Sequence, residues 1–287
     1  MSVKKVASNN GADEIAKVSE QLDEEEIRQL DMSTPVSDED GIIRNVPLLA
    51  GFIDENGVLQ DTFSYREMTG KDEEAISKND IRSNGAKLIN TLVERCVVAI
   101  GTHTKKELGA VKWAKLIREI LGGDLDYMAF KIREVSKGRE ISFSHKCPNC
   151  GQKLVTIINT EEFPINTFKG EYKVEFTLER GYKDPKGAIH KTGTLRLPNG
   201  YDREMVTPLF KKNPSTAITA LLSRLITFDD GAYVSQNNIG EMYLRDRDIL
   251  ENIIKENTFG IDTTIEGITC DNCGQDLSGE VGESNFF

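Results

Sequence analysis

Apolar residues along the chain follow two rhythms. Tyr172, Val174, Phe176 and Leu178 alternate with polar neighbours, the period of a strand with one buried face. Residues 194–197, 42–49 and 58–65 read as strands as well. Leu88, Ile89, Leu92, Val93, Cys96 and Val97 instead recur at helical intervals, as do Ile218, Leu221, Leu222, Leu225 and Ile226. Two further helices are predicted over 124–135 and 246–257. Asn213-Pro214-Ser215 is a helix start signal, and Gly101, Gly138 and Gly260 are helix stops, because glycine takes positive φ without strain.

The elements come in the same order twice. Cys147-Pro-Asn-Cys150-Gly151-Gln152-Lys153-Leu154 matches Cys270-Asp-Asn-Cys273-Gly274-Gln275-Asp276-Leu277 at six of eight positions. Upstream, 124–135 matches 246–257, the helix from Leu88 matches the helix from Ile218, and Arg66-Glu67-Met68 matches Arg203-Glu204-Met205. The sequence therefore predicts an α+β fold of two tandem repeated modules, residues 42–166 and 171–287, related by a pseudo-two-fold. Each ends in a zinc-ribbon-like cysteine knuckle. Asn285-Phe286-Phe287, which corresponds to Phe163-Pro164, reads as a docked tail.

Charge sets the front end apart. The 287 residues carry a net charge of −11, and the first 50 hold eleven acidic side chains against five basic ones. Residues 1–41 are too polar to offset the entropy of ordering them, which predicts an acidic, largely disordered arm. Within it, Ile15, Val18, Leu22, Ile27 and Leu30 fall at near-helical spacing opposite Asp23-Glu24-Glu25-Glu26, so the arm is either a solvated tail or a helix that docks on a partner. The acidic balance disfavours nucleic acid as a partner, since phosphate is repelled unless a basic patch is segregated. No apolar run is long enough to cross a bilayer, and Met1-Ser2-Val3-Lys4-Lys5 is not followed by a signal-peptide core. A protein of the cytoplasm is expected.

Five cysteines suit no disulfide framework in that compartment, whereas two Cys-x-x-Cys-Gly turns suit a metal. Two thiolates two residues apart face one tetrahedral ion, and the glycine lets the knuckle turn. The expectation is structural zinc on Cys147, Cys150, Cys270 and Cys273. The separation of 120 positions between Cys150 and Cys270 means that a shared ion staples the two modules together. Separate sites completed by groups such as His145, or reduced thiols without metal, are the other readings. Cys96, on an apolar helix face, reads as a small core residue.

Catalytic patterns are missing. His103, His145 and His190 stand in no metalloprotease or triad order, and Gly70-Lys71 and Gly122-Gly123 lack the spacing of phosphate loops. Asp124-x-Asp126 recurs as Asp246-x-Asp248; an aspartate at a helix start reads as a cap for exposed N–H groups. The residues thus predict neither an enzyme nor a small-molecule substrate.

Phe63-Ser64-Tyr65-Arg66-Glu67-Met68-Thr69-Gly70-Lys71-Asp72-Glu73-Glu74-Ala75, a strand leading into an acidic helix start, resembles the opening of the T-even phage base plate protein family. The Cys-x-x-Cys-Gly turn, following strand and terminal Phe-Phe look like the closing element of related contractile-phage tail proteins. The resemblance covers most of 42–166 and, more weakly, 171–287. It implies baseplate or tail hub assembly in the host cytoplasm or the virion tail, by binding other tail proteins and without catalysis. Members of that family are usually single-module, and the second copy here lacks the Thr-Gly-Lys-Asp-Glu-Glu run. A zinc-ribbon regulator that binds nucleic acid is the alternative reading.

Overall fold

The computed structural model describes residues 5–6, 40–265 and 267–280, with 5–6, 143–145 and 279–280 described by backbone alone. The fold is mixed α+β. The acidic arm, apart from Lys5 and Val6, and the terminal Phe286-Phe287 lie outside the described residues.

The first lobe begins with the hairpin β2 (Ile42–Ile53) and β3 (Leu59–Arg66). Its turn is set by Asp54, whose carboxylate accepts the backbone N–H of Asn56 and Val58 at 2.9 Å each. Gly57 supplies the positive φ of 76° that this turn requires. After α1 (Gly70–Ile76) and α2 (Asn79–Arg82), Asn84 caps α3 (Gly85–Cys96) by accepting from the Lys87 N–H. Then β4 (Val97–Ile100) and β5 (His103–Thr104) complete an antiparallel sheet of order β2-β3-β4-β5. Across it lie α4 (Lys105–Glu119), broken at Gly109, and α5 (Gly122–Lys137). Trp113, Tyr65, Phe63, Leu92, Ile117 and Met128 form the core between them.

The second lobe has the same order in leaner form. The hairpin β9 (Lys173–Lys183) and β10 (Ile189–Arg196) turns on Asp184, which accepts from the Lys186 and Ala188 N–H groups at 2.8 Å each. It is followed by α6 (Gly200–Phe210), α7 (Pro214–Leu225), β11 (Ile226–Phe228), the short α8 (Gln236–Gly240) and α9 (Leu244–Glu256). The sheet order is β11-β10-β9, and Phe176, Tyr182, Phe228, Leu222 and Leu250 fill the core.

Chain from both halves builds a third region. β6 (Glu140–Lys146) and β7 (Lys153–Asn159) flank the first knuckle, with β1 (Lys5–Val6) on the far side of β7. β8 (Ile165–Asn166) pairs with β12 (Gly260–Ile261), and β13 (Thr264–Ile265) with β14 (Gly279–Glu280). Phe130, Ile141, Ile158 and Phe163 pack with Ile265 and Ile268 in one apolar cluster. Burying these groups together links residues more than a hundred positions apart.

Three details differ from the sequence reading. Gly101 does not stop a helix: α3 passes straight into β4, and Gly101 follows that strand with φ 52°. Gly260 lies in β12, beyond the α9 C-cap at Asn257, whereas Gly138 does end α5, with φ 79°. The aspartates at the starts of α5 and α9 do not cap their own helices. Asp124 accepts instead from the N–H groups of Leu49, Ala50 and Gly51 at 2.7–3.3 Å. Asp246 accepts in the same manner from Glu179, Arg180 and Gly181. In each case the long strand bends at a glycine, Gly51 with φ 85° or Gly181 with φ 93°, so that consecutive N–H groups converge on one carboxylate.

Candidate metal centre and the seam between the lobes

The local sequence shapes each knuckle identically. Cys147 N–H donates to the Gln152 carbonyl and Gly151 N–H to the Cys147 carbonyl, both at 2.9 Å; Cys270 and Gln275, and Gly274 and Cys270, do the same at 2.8 Å. Gly151 and Gly274 stand at φ 73° and 71°. The two turns meet reciprocally, with Cys147 Sγ 3.6 Å from Cys273 Sγ and Cys150 Sγ 3.6 Å from Cys270 Sγ. All four sulfurs lie within 4.8 Å of one another, so the cluster can hold a metal ion. Four thiolates at a zinc–sulfur distance of about 2.3 Å stand roughly 3.8 Å apart in a tetrahedron, which these separations fit.

The electrostatics of the four sulfurs are uneven. The Asn272 side chain and then the Gln152 backbone N–H, by hydrogen bonding, bring the Cys150 thiol down to about 6, favouring thiolate. Burial pushes Cys270 up to about 11. Cys147 and Cys270 are buried at the base of the cluster, and Cys150 and Cys273 are exposed. The side chain of His145, the alternative ligand, is outside the described groups. Cys96 is fully buried, and burial lifts its thiol to about 11, as suits an inert core sulfur.

A second feature has no linear signature. In the first lobe the buried Asp72 carboxylate lies between Arg66 at 2.7 Å and Arg95 at 2.8 Å; in the second, Asp202 lies between Arg196 at 2.5 Å and Arg224 at 2.8 Å. Burial raises both carboxyls, but the Arg66 and Arg196 guanidiniums outweigh it and hold each below the ordinary carboxylate range. Arg66 at the end of β3 thus plays the part of Arg196 at the end of β10. The match of Arg66-Glu67-Met68 to Arg203-Glu204-Met205 falls one element too late, because Arg203 sits inside α6 and faces the other lobe.

That facing contact is the seam. Gly122 N–H donates to the Pro198 carbonyl at 3.1 Å and Gly200 N–H to the Ile120 carbonyl at 3.0 Å, so Leu121 and Asn199 form an antiparallel bridge between the starts of α5 and α6. Around it, Asn90 donates to the Gly200 carbonyl and to Glu204 at 3.0 Å each, Arg118 donates to Glu204 at 3.2 Å, and Arg203 donates to Asp126 at 2.8 Å. Gly200 permits this approach: a Cβ there would stand 2.7 Å from Asn90 Oδ1 and 2.9 Å from Leu125 Cδ1. Sequence reasoning singled out Gly122, Asp126, Arg203 and Glu204 for other reasons and assigned none of them to a contact between lobes. The helical spacing of Asn90 within an otherwise buried face was the one available signal.

His103 approaches Asp54 at 3.2 Å and His190 approaches Asp230 at 2.5 Å, each beside a hairpin turn. Among the described residues the four cysteines are the one cluster of three or more metal-ligating groups. No described helix is long and apolar enough to cross a membrane.

No curated protein and no solved structure matches the chain significantly. A family model does, the T4 bacteriophage base plate protein, over residues 54–284, a span that takes in the first lobe from β3 onward, the second lobe, the seam and both knuckles. The chain belongs to the T4 bacteriophage base plate protein family.

Proposed function

We propose that the protein is a non-enzymatic component or assembly factor of a phage tail baseplate hub, acting by binding other tail proteins, with one structural zinc on Cys147, Cys150, Cys270 and Cys273. The observation that carries this is the reciprocal meeting of two identical knuckles from distant parts of the chain, in a member of a baseplate family. When bound, zinc would supply a tetrahedral crosslink and no redox chemistry. The chain's own part is to present four thiols on two rigid turns, with the apolar cluster of Phe130, Ile141, Ile158, Phe163, Ile265 and Ile268 beneath them.

The same reading makes residues 42–166 and 171–287 tandem modules that arose by duplication. The paired carboxylate nests at Asp124 and Asp246 and the paired Arg–Asp–Arg clusters support it, since two separate devices each recur at corresponding places in two chain segments. Residues 1–41 form a separate acidic arm in this reading. The protein acts in the host cytoplasm during assembly and is carried into the virion tail if it remains bound.

Elemental analysis of protein purified without chelator tests the metal, with about one zinc per chain expected. Metal-free folded protein overturns that part. Affinity capture of the tagged chain during infection tests the role, with baseplate and hub proteins expected and their absence overturning it.

A further inference from the structure

The sulfurs of the two knuckles stand in pairs that cross from one module to the other. Cys147 Sγ lies 3.6 Å from Cys273 Sγ, 126 positions away, and Cys150 Sγ lies 3.6 Å from Cys270 Sγ, 120 positions away. A disulfide holds its sulfurs at about 2.05 Å, so each sulfur of a pair has to move by less than about 1 Å. A change of that size is within reach of side-chain rotation, without remaking the hydrogen-bonded turns that carry the cysteines.

Exposure divides each pair in the same way. Cys273 and Cys150 are exposed, and their respective partners Cys147 and Cys270 are each 2% exposed. An oxidant in water therefore meets one sulfur of each pair first, and the second lies beneath it, shielded. That is the layout of an attacked thiol with a resolving thiol at hand, in which a prompt second step spares the first sulfur from further oxidation. Cys96, fully buried in the core of the first lobe, takes no part.

We propose that Cys147 with Cys273, and Cys150 with Cys270, are disulfide-forming pairs, so that the metal-free chain closes under peroxide into a covalent clamp between its two modules. The inference rests on the reading of the knuckles as a clamp between modules, and it needs no metal. In the first step peroxide oxidises the exposed thiol to a sulfenic acid, and one water is released. The buried thiol then attacks the sulfenic sulfur; the S–S bond forms, and the hydroxyl leaves with the thiol proton as a second water. Each pair gives up two electrons and two protons, and one peroxide is reduced to two waters.

Compartment sets which clamp is present. Disulfides do not persist in a reducing cytoplasm, where the four thiols stay available to a metal. Outside the cell they do persist, and two bonds that close loops of 126 and 120 positions hold the modules together when a chelator takes the metal. Bonds within a knuckle, Cys147 to Cys150 and Cys270 to Cys273, would close only short loops and leave the modules unlinked.

The test treats the full-length chain with chelator and then with hydrogen peroxide, and follows it by non-reducing electrophoresis and peptide mapping. Expected are a faster-moving monomer band, reversed by dithiothreitol, and linked peptides that join Cys147 to Cys273 and Cys150 to Cys270. Thiols counted in denaturant should fall from five to one, with Cys96 the survivor. Two double variants, Cys147→Ser with Cys273→Ser and Cys150→Ser with Cys270→Ser, each keep one pair and should each give one linked peptide, with circular dichroism to check folding. Links within a knuckle, the pairing of Cys147 with Cys270 and Cys150 with Cys273, disulfides between chains, or sulfinic acids in place of any bond overturn the proposal. Zinc measured before chelation separates the two readings: crosswise bonds in a chain that carried no zinc uphold this inference and sink the metal, and stoichiometric zinc with any other pairing does the reverse.

Discussion

The two lobes share a frame and differ in what fills it. Both have a hairpin turned on an aspartate, a carboxylate nest where the first strand bends, and an aspartate held between two arginines. Between the central helix and the last, the first lobe inserts α4, which places Trp113 at the centre of the core and reaches Glu94 through its indole N–H at 3.1 Å. The second lobe has the five-residue α8 and the smaller Ile239 there. α4 also carries Arg118, which holds Glu204 of the other lobe. The insertion that enlarges one core therefore also contributes to the seam, whereas Tyr243 and Leu244 at the start of α9 are exposed.

The most severe break in this comparison is at the knuckles, which treat the halves equally. Cys147→Ser and Cys270→Ser should each abolish stoichiometric zinc and release hydrogen-exchange protection in β6, β7 and β13 while the two lobe cores stay protected. Loss of zinc from only one of these variants would mean two sites instead of one.

Next come the buried carboxylates. Asp72→Ala and Asp202→Ala each strand two arginines that are about a third exposed, so solvent shares the cost, and each should lower stability by about 2 kcal/mol in urea unfolding. Because both carboxyls are held below their ordinary range, the stability they give is present above about pH 4 and is lost as pH falls through the lowered folded value. A marked inequality between the two variants would show that the shared frame is not energetically shared.

Asp124 behaves in the opposite sense. Burial pushes its carboxyl up to about 6, against the N–H groups of Leu49, Ala50 and Gly51 that favour the charge. A raised folded value means that stability is fully present below about pH 4 and declines as pH rises through 6. Wild type compared with Asp124→Asn should thus lose roughly 2 kcal/mol of relative stability between pH 4 and pH 7. A flat difference across that range would mean that the nest, not burial, governs the group.

The smallest contrast is between two glycines in equivalent places. Gly200→Ala should cost about 1–3 kcal/mol, because its Cβ meets Asn90 and Leu125 across the seam. Gly70→Ala has open space and should be neutral or stabilising by about 0.5 kcal/mol through helix propensity. Thermal unfolding of both variants checks the pair, and equal losses would remove the packing argument for the seam.

Much of the local structure was readable from residues in order. The apolar stripe from Leu88 to Cys96 became α3, Asn213-Pro214 began α7, and the Cys-x-x-Cys-Gly spacing produced two turns of one shape. These depend on neighbours within about one helical turn or one knuckle, so spacing and side-chain type suffice. The aspartates at 124 and 246 were read as caps because the local rule is sound, but their true partners lie 65–75 positions away. The arginine match failed for a related reason: Arg66 and Arg196 are equivalent by what they bind, and Arg203 resembles Arg66 only in the letters beside it.

By itself, then, the sequence determined the α+β class, the two knuckles, the absence of a linear catalytic motif and the family resemblance, all of which are written in short-range order. Only the tertiary structure decided that the four sulfurs meet, that Asp124 and Asp246 fill strand nests, and that α5 and α6 form the seam while the starts of α1 and α9 stay open. Those outcomes depend on which surfaces are buried against each other, and burial is a property of the packed chain, set by the joint loss of apolar surface from water and by the need to pair every buried charge.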